Sequence, residues 1–566
     1  MMHRPRRRPA AALTSFGLLM AGITLAAEPA SLPELNARVD RLFAQWDTTR
    51  SPGCSMAASR NGSIVHARGY GMANMEHGVP NGPRTVFHIA SVSKQFTAAA
   101  IAMLVEEGRL SLGDPVRKFL PGIPAFAQGV TVGHLVHHTS GIRDHSDLME
   151  LAGWRYYRDL VTTEDAMSVL ARQRKLIFAP GSRYQYNNTN YLLLGEIVQR
   201  VSGKSLRQFA TERLFEPLGM KDSFFRDDFY EIVPNFAAGY EPAGHGFRTS
   251  LTNFSIVGYS TLLTTVEDLM KWEENFYGGR VGGKAITERM LERAPLPGGK
   301  PNKYAFGIVV DEHRGLPIVE HSGGDAGYST HLVRFPQQHL SVTVLCNLNS
   351  VDAHALAMQT AEIYLGLPPE KPANAGSTRQ ASVTPVQLPE ATLQSLAGHY
   401  LDPQTERAVV LTFENGALHA RIGEQSQPVV AMSAHRFRVG DGRVELEFPK
   451  SSRNPSQLAL HDIYDGSLVL RRVADDDARP LPPESYAGTY HSEEIEAPFH
   501  VLVEDGQLIL RSIKYKARLI PVTPELFIAG WANVLFSRDA AGRISGFRYG
   551  DREMPLAEFA RIGNQP

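Results

Sequence analysis

The first part of the chain alternates between two spacings of its hydrophobic residues. Strand-like runs at Cys54–Arg60 and Ser63–Tyr70 flank Asn61-Gly62, a dipeptide that suits a tight hairpin turn. Residues 93–107 are instead alanine-rich and apolar, without a broad polar face, which is typical of a buried helix. The pattern therefore predicts a hairpin followed by a buried helix.

Further helices and strands continue this mixture to residue 366. Gly108 follows the first helical pattern, and Gly203 follows a second one over 190–201, as expected of glycines that end helices. The sequences STHLVRF and LSVTVLCNL then return to a strand pattern. A hairpin first, helices in the middle and strands last predict an α+β domain over 30–366, with a sheet built from both ends of the segment.

Beyond this domain the hydrophobic pattern changes. Residues 367–390 are rich in Pro, Ala, Ser and Thr and have no periodicity, so we predict a linker. After it, short alternating runs separated by glycine-containing turns predict two small antiparallel β-barrel domains, over 391–475 and 481–566. Two small β-sandwiches would fit the same pattern.

An internal repeat supports this division into two domains. Residues of the first domain recur 90 positions later without a gap. The matched pairs are Ala397 and Ala487, Gly398 and Gly488, Tyr400 and Tyr490, Glu414 and Glu504, Gly416 and Gly506, Leu418 and Leu508, Arg421 and Arg511, Phe437 and Phe527, and Gly440 and Gly530. So long a series is too regular for chance, and the two domains are predicted to be copies of one fold.

Composition places the chain among folded proteins of several domains. It has 566 residues, of which 43% are hydrophobic and 21% charged, and its formal net charge is −1. This length exceeds what one hydrophobic core supports, so we expect two to four domains. The near-neutral charge, with no long basic stripe after the N-terminus, argues against nucleic-acid binding.

The N-terminus has the pattern of a processing segment. A basic stretch from His3 to Arg8 precedes an apolar run over 10–27 that ends in two alanines. This order predicts a secretory signal peptide over 1–27 and a periplasmic or secreted mature protein without a membrane span. A retained N-terminal anchor is the alternative, although the run is short for a spanning helix.

The chain has two cysteines, Cys54 and Cys346. They could pair in an oxidising compartment, but two cysteines do not make a disulfide scaffold. Both lie in strand-like segments, where an unpaired cysteine commonly packs as a small hydrophobic residue. We favour the unpaired interpretation.

The first candidate for chemistry is Ser91-Val92-Ser93-Lys94, where an extended segment enters the buried helix. A serine hydroxyl is a weak nucleophile and needs a base. Residues three apart share a helix face, so Lys94 can reach Ser91, and burial lowers the proton affinity of a lysine. Backbone N–H groups at a helix N-terminus also favour developing negative charge. A helix-capping serine followed by a surface lysine would give the same letters.

The second candidate is Tyr186-Asn187-Asn188, just before the second helix. Tyr186 can relay a proton between nucleophile and leaving group. The Asn188 side chain can hold a substrate amide, because it carries both a donor and an acceptor. The alternative is a polar loop that caps the helix.

The third candidate is the segment HSGG that begins at His321, just before a strand. Gly323 and Gly324 let the backbone approach a ligand closely, and the N–H of Gly324 is a candidate oxyanion donor beside that of Ser91. The segment HRG at His313 competes for this role. We prefer His321 because of its double glycine and the strand that follows.

His134, His137 and His138 form a cluster in which two histidines four apart on a helix could bind zinc. No third ligand follows at metal-site spacing, so we expect neither a metal nor an organic cofactor.

The order of the three candidates resembles the S-x-x-K, Y-x-N and H-x-G motifs of the serine β-lactamase and penicillin-binding-protein superfamily. The segments TVGHLVHHTSGI, FAPGSRYQYNNTNYLLLGEIVQRVSGKS and FEPLGMKDSFF also resemble it. The whole layout is similar to bacterial D-aminopeptidases, in which two β-barrel domains follow a β-lactamase-like domain. The resemblance implies Ser91 as nucleophile, Lys94 as base, Tyr186 as acid/base relay, Asn188 as substrate contact and His321 as the third-motif residue.

Two departures from these relatives shape the expected substrate. Penicillin-recognising members begin the third motif with a lysine that helps hold a substrate carboxylate, whereas His321 is mostly neutral at pH 7. In the aminopeptidases a long loop of the last domain reaches the active site, and the matching stretch here, 527–534, is short. The first departure points away from β-lactams. The second argues against strict aminopeptidase specificity and leaves room for esterase or broader amidase action.

We therefore expect a serine acyl hydrolase for small ester, amide or peptide substrates, acting through an acyl-enzyme. One alternative is a D-stereospecific aminopeptidase on small D-residue peptides or amides. Another is a catalytically silent peptidoglycan- or peptide-binding protein that keeps the fold. The sequence leaves the oligomeric state open.

Overall fold

The computed structural model describes most of the chain after the predicted signal peptide. The predicted signal peptide (1–27) and most of the predicted linker lie outside the described residues. The described ranges are 30–155, 157–299, 302–368, 386–422, 425–440, 444–449, 455–462, 466–474, 477, 479–530, 532–550 and 555–563. Within these ranges no helix is both long and apolar enough to cross a membrane.

Six antiparallel strands form the central sheet of the first domain. In chain order they are β1 (Cys54–Arg60), β2 (Ser63–Tyr70), β3 (Val309–His313), β4 (Leu316–Asp325), β5 (Tyr328–Phe335) and β6 (Leu340–Cys346). Their spatial order is β3-β4-β5-β6-β1-β2. The first two strands thus complete a sheet made by the last four, and the predicted α+β architecture with a sheet built from both ends is confirmed.

The hairpin between β1 and β2 has the predicted strand limits. Asn61 has a φ of 50° and Gly62 a φ of 77°. Positive φ angles at both central residues match the right-handed twist of the two strands, and asparagine and glycine accept them at low cost.

Helices cover both faces of the sheet because its strands are apolar on both sides. Five helices cover the sheet or position the candidate residues. They are α1 (Leu32–Phe43), α2 (Lys94–Glu106), α3 (His145–Leu151), α4 (Asn188–Ser202) and α5 (Ala353–Leu365). Helices α1 and α5 pack on one face, where Met56 and Val344 join their core. Helices α2 and α4 belong to the larger core on the other face, with Ala57 and Leu345.

The two predicted helices are present with shifted starts. Helix α4 begins at Asn188, two residues before the predicted start, because the Asn187 side chain accepts a hydrogen bond from the Asn190 N–H and caps the helix. It ends at Gly203, whose φ of 75° is left-handed. A 3₁₀ turn over Ala90–Ser93 precedes α2.

The remaining elements of the first domain surround the sheet, and most of them are short. Its other helices are Val132–Val136, Thr163–Ala171, Leu206–Ala210, Glu216–Leu218, Val266–Gly278 and Gly283–Arg289. Its other strands are Met72–Asn74, Val79–Pro80, Phe87–His88, Val161–Thr162, Phe224–Phe225, Tyr240–Ala243, Gly246–Thr249, Phe254–Ser255 and Leu262–Thr264.

The C-terminal third forms two antiparallel β-barrels, as predicted. The first barrel follows a helix over Glu390–Leu396 and is closed. Its strands are Gly398–Leu401, Ala408–Glu414, Ala417–Ile422, Gln425–Ala431, Arg436–Val439, Val444–Glu447, Gln457–Asp462 and Gly466–Arg472. The second is a nearly closed sheet of nine strands. Its strands are Gly488–Ser492, Ala497–Glu504, Gln507–Arg511, Lys516–Arg518, Ile520–Pro521, Leu526–Ala529, Ala532–Arg538, Ile544–Gly550 and Pro555–Gly563.

Repeated residues make the same contacts and adopt the same backbone conformation in both barrels. The Tyr400 hydroxyl donates to the Leu396 carbonyl, and its repeat mate Tyr490 donates to the Tyr486 carbonyl. Gly440 and Gly530 both have left-handed φ angles, of 53° and 60°. The repeat in the sequence is therefore a repeat of the fold.

The preference for unpaired cysteines was wrong. Cys54 on β1 lies directly opposite Cys346 on β6, and the two form a disulfide. The two cysteines are 292 residues apart in the sequence. Their proximity could not be predicted, because the pairing of β1 with β6 follows from the sheet topology and not from any local pattern. The disulfide ties the two ends of the first domain together.

Candidate active site

The Ala90–Ser93 turn presents Ser91 to solvent. The strand Phe87–His88 leads into this turn, and Ala90 has a positive φ of 48°, which is uncommon for a residue other than glycine. The chain therefore changes direction sharply here. Ala90 and Val92 are buried, whereas Ser91 is partly exposed.

Lys94 points from the first turn of α2 to Ser91. Its Nζ donates to Ser91 Oγ at 3.0 Å, to Asn188 Oδ1 at 2.9 Å and to the Tyr259 carbonyl at 3.0 Å. The side chain is fully buried. The three acceptors fix the amine beside the serine hydroxyl, as the spacing of three predicted.

Burial also sets the protonation of Lys94. Its Nζ lies 4.7 Å from the ring centre of Tyr186 and 5.6 Å from that of Tyr259. Desolvation lowers the lysine pKa to about 7, although the charges of Asp144 and Asp325 act to raise it. A large fraction of the amine is therefore neutral near pH 7 and able to accept a proton.

Tyr186 completes the surroundings of the serine hydroxyl. Its hydroxyl is near enough to Ser91 for a hydrogen bond between the two to act on the tyrosine pKa. Desolvation of this hydroxyl raises the Tyr186 pKa above its usual value, and the hydrogen bond with Ser91 offsets part of that increase. Tyr186 consequently stays protonated at neutral pH and is poised to donate.

Asn188 is held from two sides at the start of α4. Its Oδ1 accepts from Lys94, and its backbone N–H donates to Asp144 Oδ2 at 2.6 Å. Asp144 in turn caps α3 by accepting from the Ser146 N–H at 2.9 Å. With Oδ1 facing the lysine, the amide NH₂ of Asn188 is the end that can meet a substrate.

Strand β4 brings the third motif to the nucleophile turn. Its pairing with β3 ends at Glu320, so the described sheet leaves the outer edge of the strand from His321 to Asp325 unpaired. A Cβ at Gly323 would come within 2.4 Å of the Ile89 carbonyl oxygen. Glycine at this position is therefore needed for the strand to approach the turn that carries Ser91.

His321 is neutral, as expected. It is buried, and desolvation, helped by the charge of Lys94, lowers its pKa to about 3. Its Nε2 lies 3.0 Å from the Tyr304 hydroxyl. A neutral histidine supplies no positive charge for a substrate carboxylate. The competing His313 lies elsewhere, paired with Glu362 at 2.9 Å.

An acidic cavity of about 380 Å³ adjoins the site through Tyr186 and Asn188. Asp144, Asp147 and Glu150 line it. Burial, together with the charges of Asp144 and Glu150, raises the pKa of Asp147 to about 8. A cavity with three neighbouring carboxyl groups favours a cation.

The second barrel closes one side of this cavity. Leu556 of its last strand lines the cavity. Nearby, Arg143 Nη1 donates to both carboxylate oxygens of Glu494 at 3.2 and 3.1 Å, in a nearly fully buried pair. The stretch 527–534, matched in the sequence to the aminopeptidase loop, lies in two paired strands of the second barrel, in which Phe527 is opposite Val534. Asn533 of the second of these strands donates a hydrogen bond to the Glu406 carbonyl of the first barrel.

The three histidines considered for metal binding have structural partners. His134 Nδ1 accepts from the Thr131 N–H at 3.1 Å, and His137 Nδ1 lies 3.3 Å from the Tyr304 carbonyl. His138 Nδ1 accepts from the Asn187 N–H at 3.2 Å. These contacts anchor the loops around the site.

Sequence reasoning missed several groups of the site. Asp144 and Asp325 both act on the pKa of Lys94, and desolvation raises the pKa of Asp325 itself to about 7. Tyr259 contributes its backbone carbonyl to Lys94. Every residue has such a carbonyl, so the sequence could not point to this contact. The position of Asp144, directly after the segment HHTSGIR, was the one local hint.

Known proteins resemble both the sequence and the fold. The Beta-lactamase family model matches residues 39–365. The chain is 27% identical over 561 residues to a D-aminopeptidase of Brucella ovis, covering 94% of this chain and 99% of that protein. It is 30% identical over 434 residues to penicillin-binding protein 4* of Bacillus subtilis, covering 73% and 93%.

A solved structure supports the fold over most of the chain. The octameric penicillin-binding protein homologue from Pyrococcus abyssi superposes with a TM-score of 0.55 at 24% identity, covering 86% of this chain and 99% of that one. Together with the family match over more than half of the residues, this agrees with the architecture described above. The chain belongs to the β-lactamase family and is a serine hydrolase of that superfamily.

Proposed function

We propose that the protein hydrolyses amides and short peptides that carry a free N-terminal amino group, through an acyl-enzyme on Ser91. The observation that carries this proposal is the acidic cavity beside Tyr186 and Asn188. A substrate carbonyl at Ser91 would place the neighbouring α-ammonium group within reach of the carboxyl groups of Asp144 and Asp147. The Arg143 guanidinium, also at the cavity, is already paired with Glu494.

The first chemical step is attack by the Ser91 hydroxyl on the carbonyl carbon. Neutral Lys94 takes the hydroxyl proton, since its amine is 3.0 Å away and its pKa is about 7. The N–H groups of Ser91 and Gly324 hold the resulting oxyanion, because the unpaired edge of β4 faces the nucleophile turn.

The second step expels the amine and leaves the acyl group on Ser91. Protonated Tyr186 donates its proton to the leaving nitrogen and recovers one from Lys94, whose ammonium lies against its ring. Water then attacks the ester with Lys94 as base again, releasing the acid and restoring the hydroxyl.

The D configuration is part of the proposal. It is supported by the D-aminopeptidase of Brucella ovis, which aligns over nearly the full length, including both barrels. The neutral His321 also agrees with a substrate that lacks a carboxylate at this position.

We also propose that the protein is exported to the periplasm or beyond. The basic and then apolar N-terminal stretch supports this proposal. The Cys54–Cys346 disulfide supports it independently, because such bonds persist in oxidising compartments.

Two measurements test the catalytic proposal. Intact-mass analysis after fluorophosphonate treatment should show one adduct on the wild type and on Ser93→Ala, a matched control on the same turn, but none on Ser91→Ala. Turnover of D-alanine p-nitroanilide should exceed that of the L-isomer and of N-acetyl-D-alanine p-nitroanilide. A wild type without an adduct would point to the catalytically silent binding protein. Equal turnover of the acetylated substrate would refute the recognition of the amine.

A further inference from the structure

A second cluster of ligand-type side chains lies on the face of the sheet opposite His321. Glu320 is on β4, His331 is on β5, and His354 is in the first turn of α5. Because side chains alternate along a strand, Glu320 and Ser322 point away from the side of β4 that His321 and Gly323 occupy. The cluster therefore belongs to the back of the sheet, under α5.

The spacing of the three side chains suits one small cation. His331 Nε2 and Glu320 Oε2 are 3.3 Å apart, and His354 Nε2 and Glu320 Oε2 are 3.7 Å apart. All three groups offer a ligand atom within 4.8 Å of the others. Ligands of a tetrahedral Zn²⁺ ion, at about 2.0–2.2 Å from the metal, are separated by roughly 3.3–3.6 Å.

The two polar atoms at the centre of the cluster have only each other as partners. His331 is fully buried, and apart from their mutual approach at 3.3 Å neither its Nε2 nor Glu320 Oε2 has a hydrogen-bond partner within the described part of the chain. Buried polar atoms without partners are rare because desolvating them is costly. Both of these atoms face the same point, and a shared cation would satisfy both.

The other ring nitrogen of His331 is already fixed. Its Nδ1 lies 2.9 Å from Ser322 Oγ. When Nδ1 carries the proton and donates to the serine, Nε2 presents its lone pair to the cluster. Metal-binding histidines commonly hold their second nitrogen in this manner.

We propose that Glu320, His331 and His354 bind one divalent transition-metal ion of the Zn²⁺ type, with water in the fourth position. The partly exposed His354 side chain gives access from solvent, with 53% of it accessible. The ion would join α5 to strands β4 and β5, and its contribution is structural because Ser91 and Lys94 lie on the other side of β4.

The test uses the untagged full-length protein with its disulfide intact. Isothermal titration with ZnSO₄ should give one site per chain with a Kd of micromolar order or tighter, and Co²⁺ should develop the visible absorption of a tetrahedral site. Zn²⁺ should also raise the Tm. His354→Ala and Glu320→Gln should each weaken binding at least about tenfold, since each removes one of three ligands.

His66→Ala is the matched control. His66 is on β2 and its Nε2 lies 2.9 Å from Asp40 Oδ1. The described residues provide no third metal ligand there, so this variant should bind Zn²⁺ as the wild type does. His354 is largely exposed, and circular dichroism should show that His354→Ala is folded. Absence of saturable binding at about 100 μM Zn²⁺ would overturn the proposal. So would unchanged affinity in both cluster variants, or an equal loss in His66→Ala.

Discussion

Arg143 and Glu494 join the hydrolase domain to the second barrel through two hydrogen bonds of 3.2 and 3.1 Å. Their side chains are only 1% and 9% exposed. Glu494 also accepts from the Arg174 N–H at 2.8 Å, and Arg143 donates to the Pro555 carbonyl, the residue before Leu556. One buried ion pair thus positions the barrel against the acidic cavity.

Glu494→Gln is expected to weaken the docking of the barrel by about 3 kcal/mol, because the Arg143 charge would stay buried without its partner. Hydrogen exchange should become faster in α3 and in the strand Pro555–Gly563, and the KM of D-alanine p-nitroanilide should rise. The control is Glu493→Gln. Glu493 pairs with Arg174, but both side chains are more than two-thirds exposed, so its effect should stay below about 1 kcal/mol. Equal effects of the two variants would contradict this prediction.

The pH dependence of catalysis should report the amine of Lys94. Its pKa is lowered from 10.5 to about 7, so the neutral base is lost as the pH falls below that value. With p-nitrophenyl acetate, which has no amine of its own, kcat/KM should rise roughly tenfold per pH unit below about pH 7 and level off above it. Lys94→Met should abolish this rise together with the activity. A profile that is flat across pH 7 would exclude Lys94 as the base.

The same pKa shift gives a prediction for stability. Between about pH 7 and 10.5 the unfolded chain keeps a proton on Lys94 that the folded chain has lost, so this lysine makes the free energy of unfolding rise with pH. Below pH 7 both states are protonated and its burial costs most. The stability of Lys94→Met relative to the wild type should therefore be greatest below pH 7 and decrease toward pH 10. Urea denaturation across this range checks the sign, and a difference that grows with pH would contradict it.

Asp147→Asn tests the acidic cavity. Loss of the Asp147 carboxyl group should raise the KM of D-alanine p-nitroanilide about tenfold and the KM of p-nitrophenyl acetate far less. Only the first of these substrates carries an ammonium group. Because the Asp147 pKa is about 8, the empty cavity holds its proton at pH 7. Binding of D-alanine amide should release that proton, seen as a buffer-dependent heat. Glu164→Gln, an exposed carboxylate on the next helix, is the control, and a KM change shared by both substrates would refute the assignment.

Removing the disulfide should destabilise the first domain. The Cys54→Ala/Cys346→Ala variant is expected to lose about 2–5 kcal/mol, because the bond restricts the unfolded chain. Its urea midpoint should coincide with that of wild type treated with dithiothreitol. Thiol titration of the unfolded, unreduced wild type should find no free cysteine, and two free thiols would disprove the bond.

The centre of the site could be predicted from the local sequence, whereas the acidic cavity could not. Ser91 and Lys94 are three residues apart on one helical turn, so their contact follows from helix geometry alone. In the sequence, Asp147 and Glu150 have the pattern expected for the polar face of an ordinary surface helix. They become a cavity wall because strand Pro555–Gly563 lies over them, some 400 positions later in the sequence. The cysteine pairing failed for a similar reason, since it depended on which strands are neighbours.

The duplicated barrels divide their residues into two kinds. At the 90-residue offset, Glu493 and Glu494 correspond to Pro403 and Gln404 in the first copy. The shared glycines and tyrosines are therefore those that shape each barrel, whereas the docking carboxylate Glu494 falls outside that shared set. The surface that docks a barrel onto the hydrolase domain can therefore differ between the two copies without any change in the residues on which the barrel fold depends.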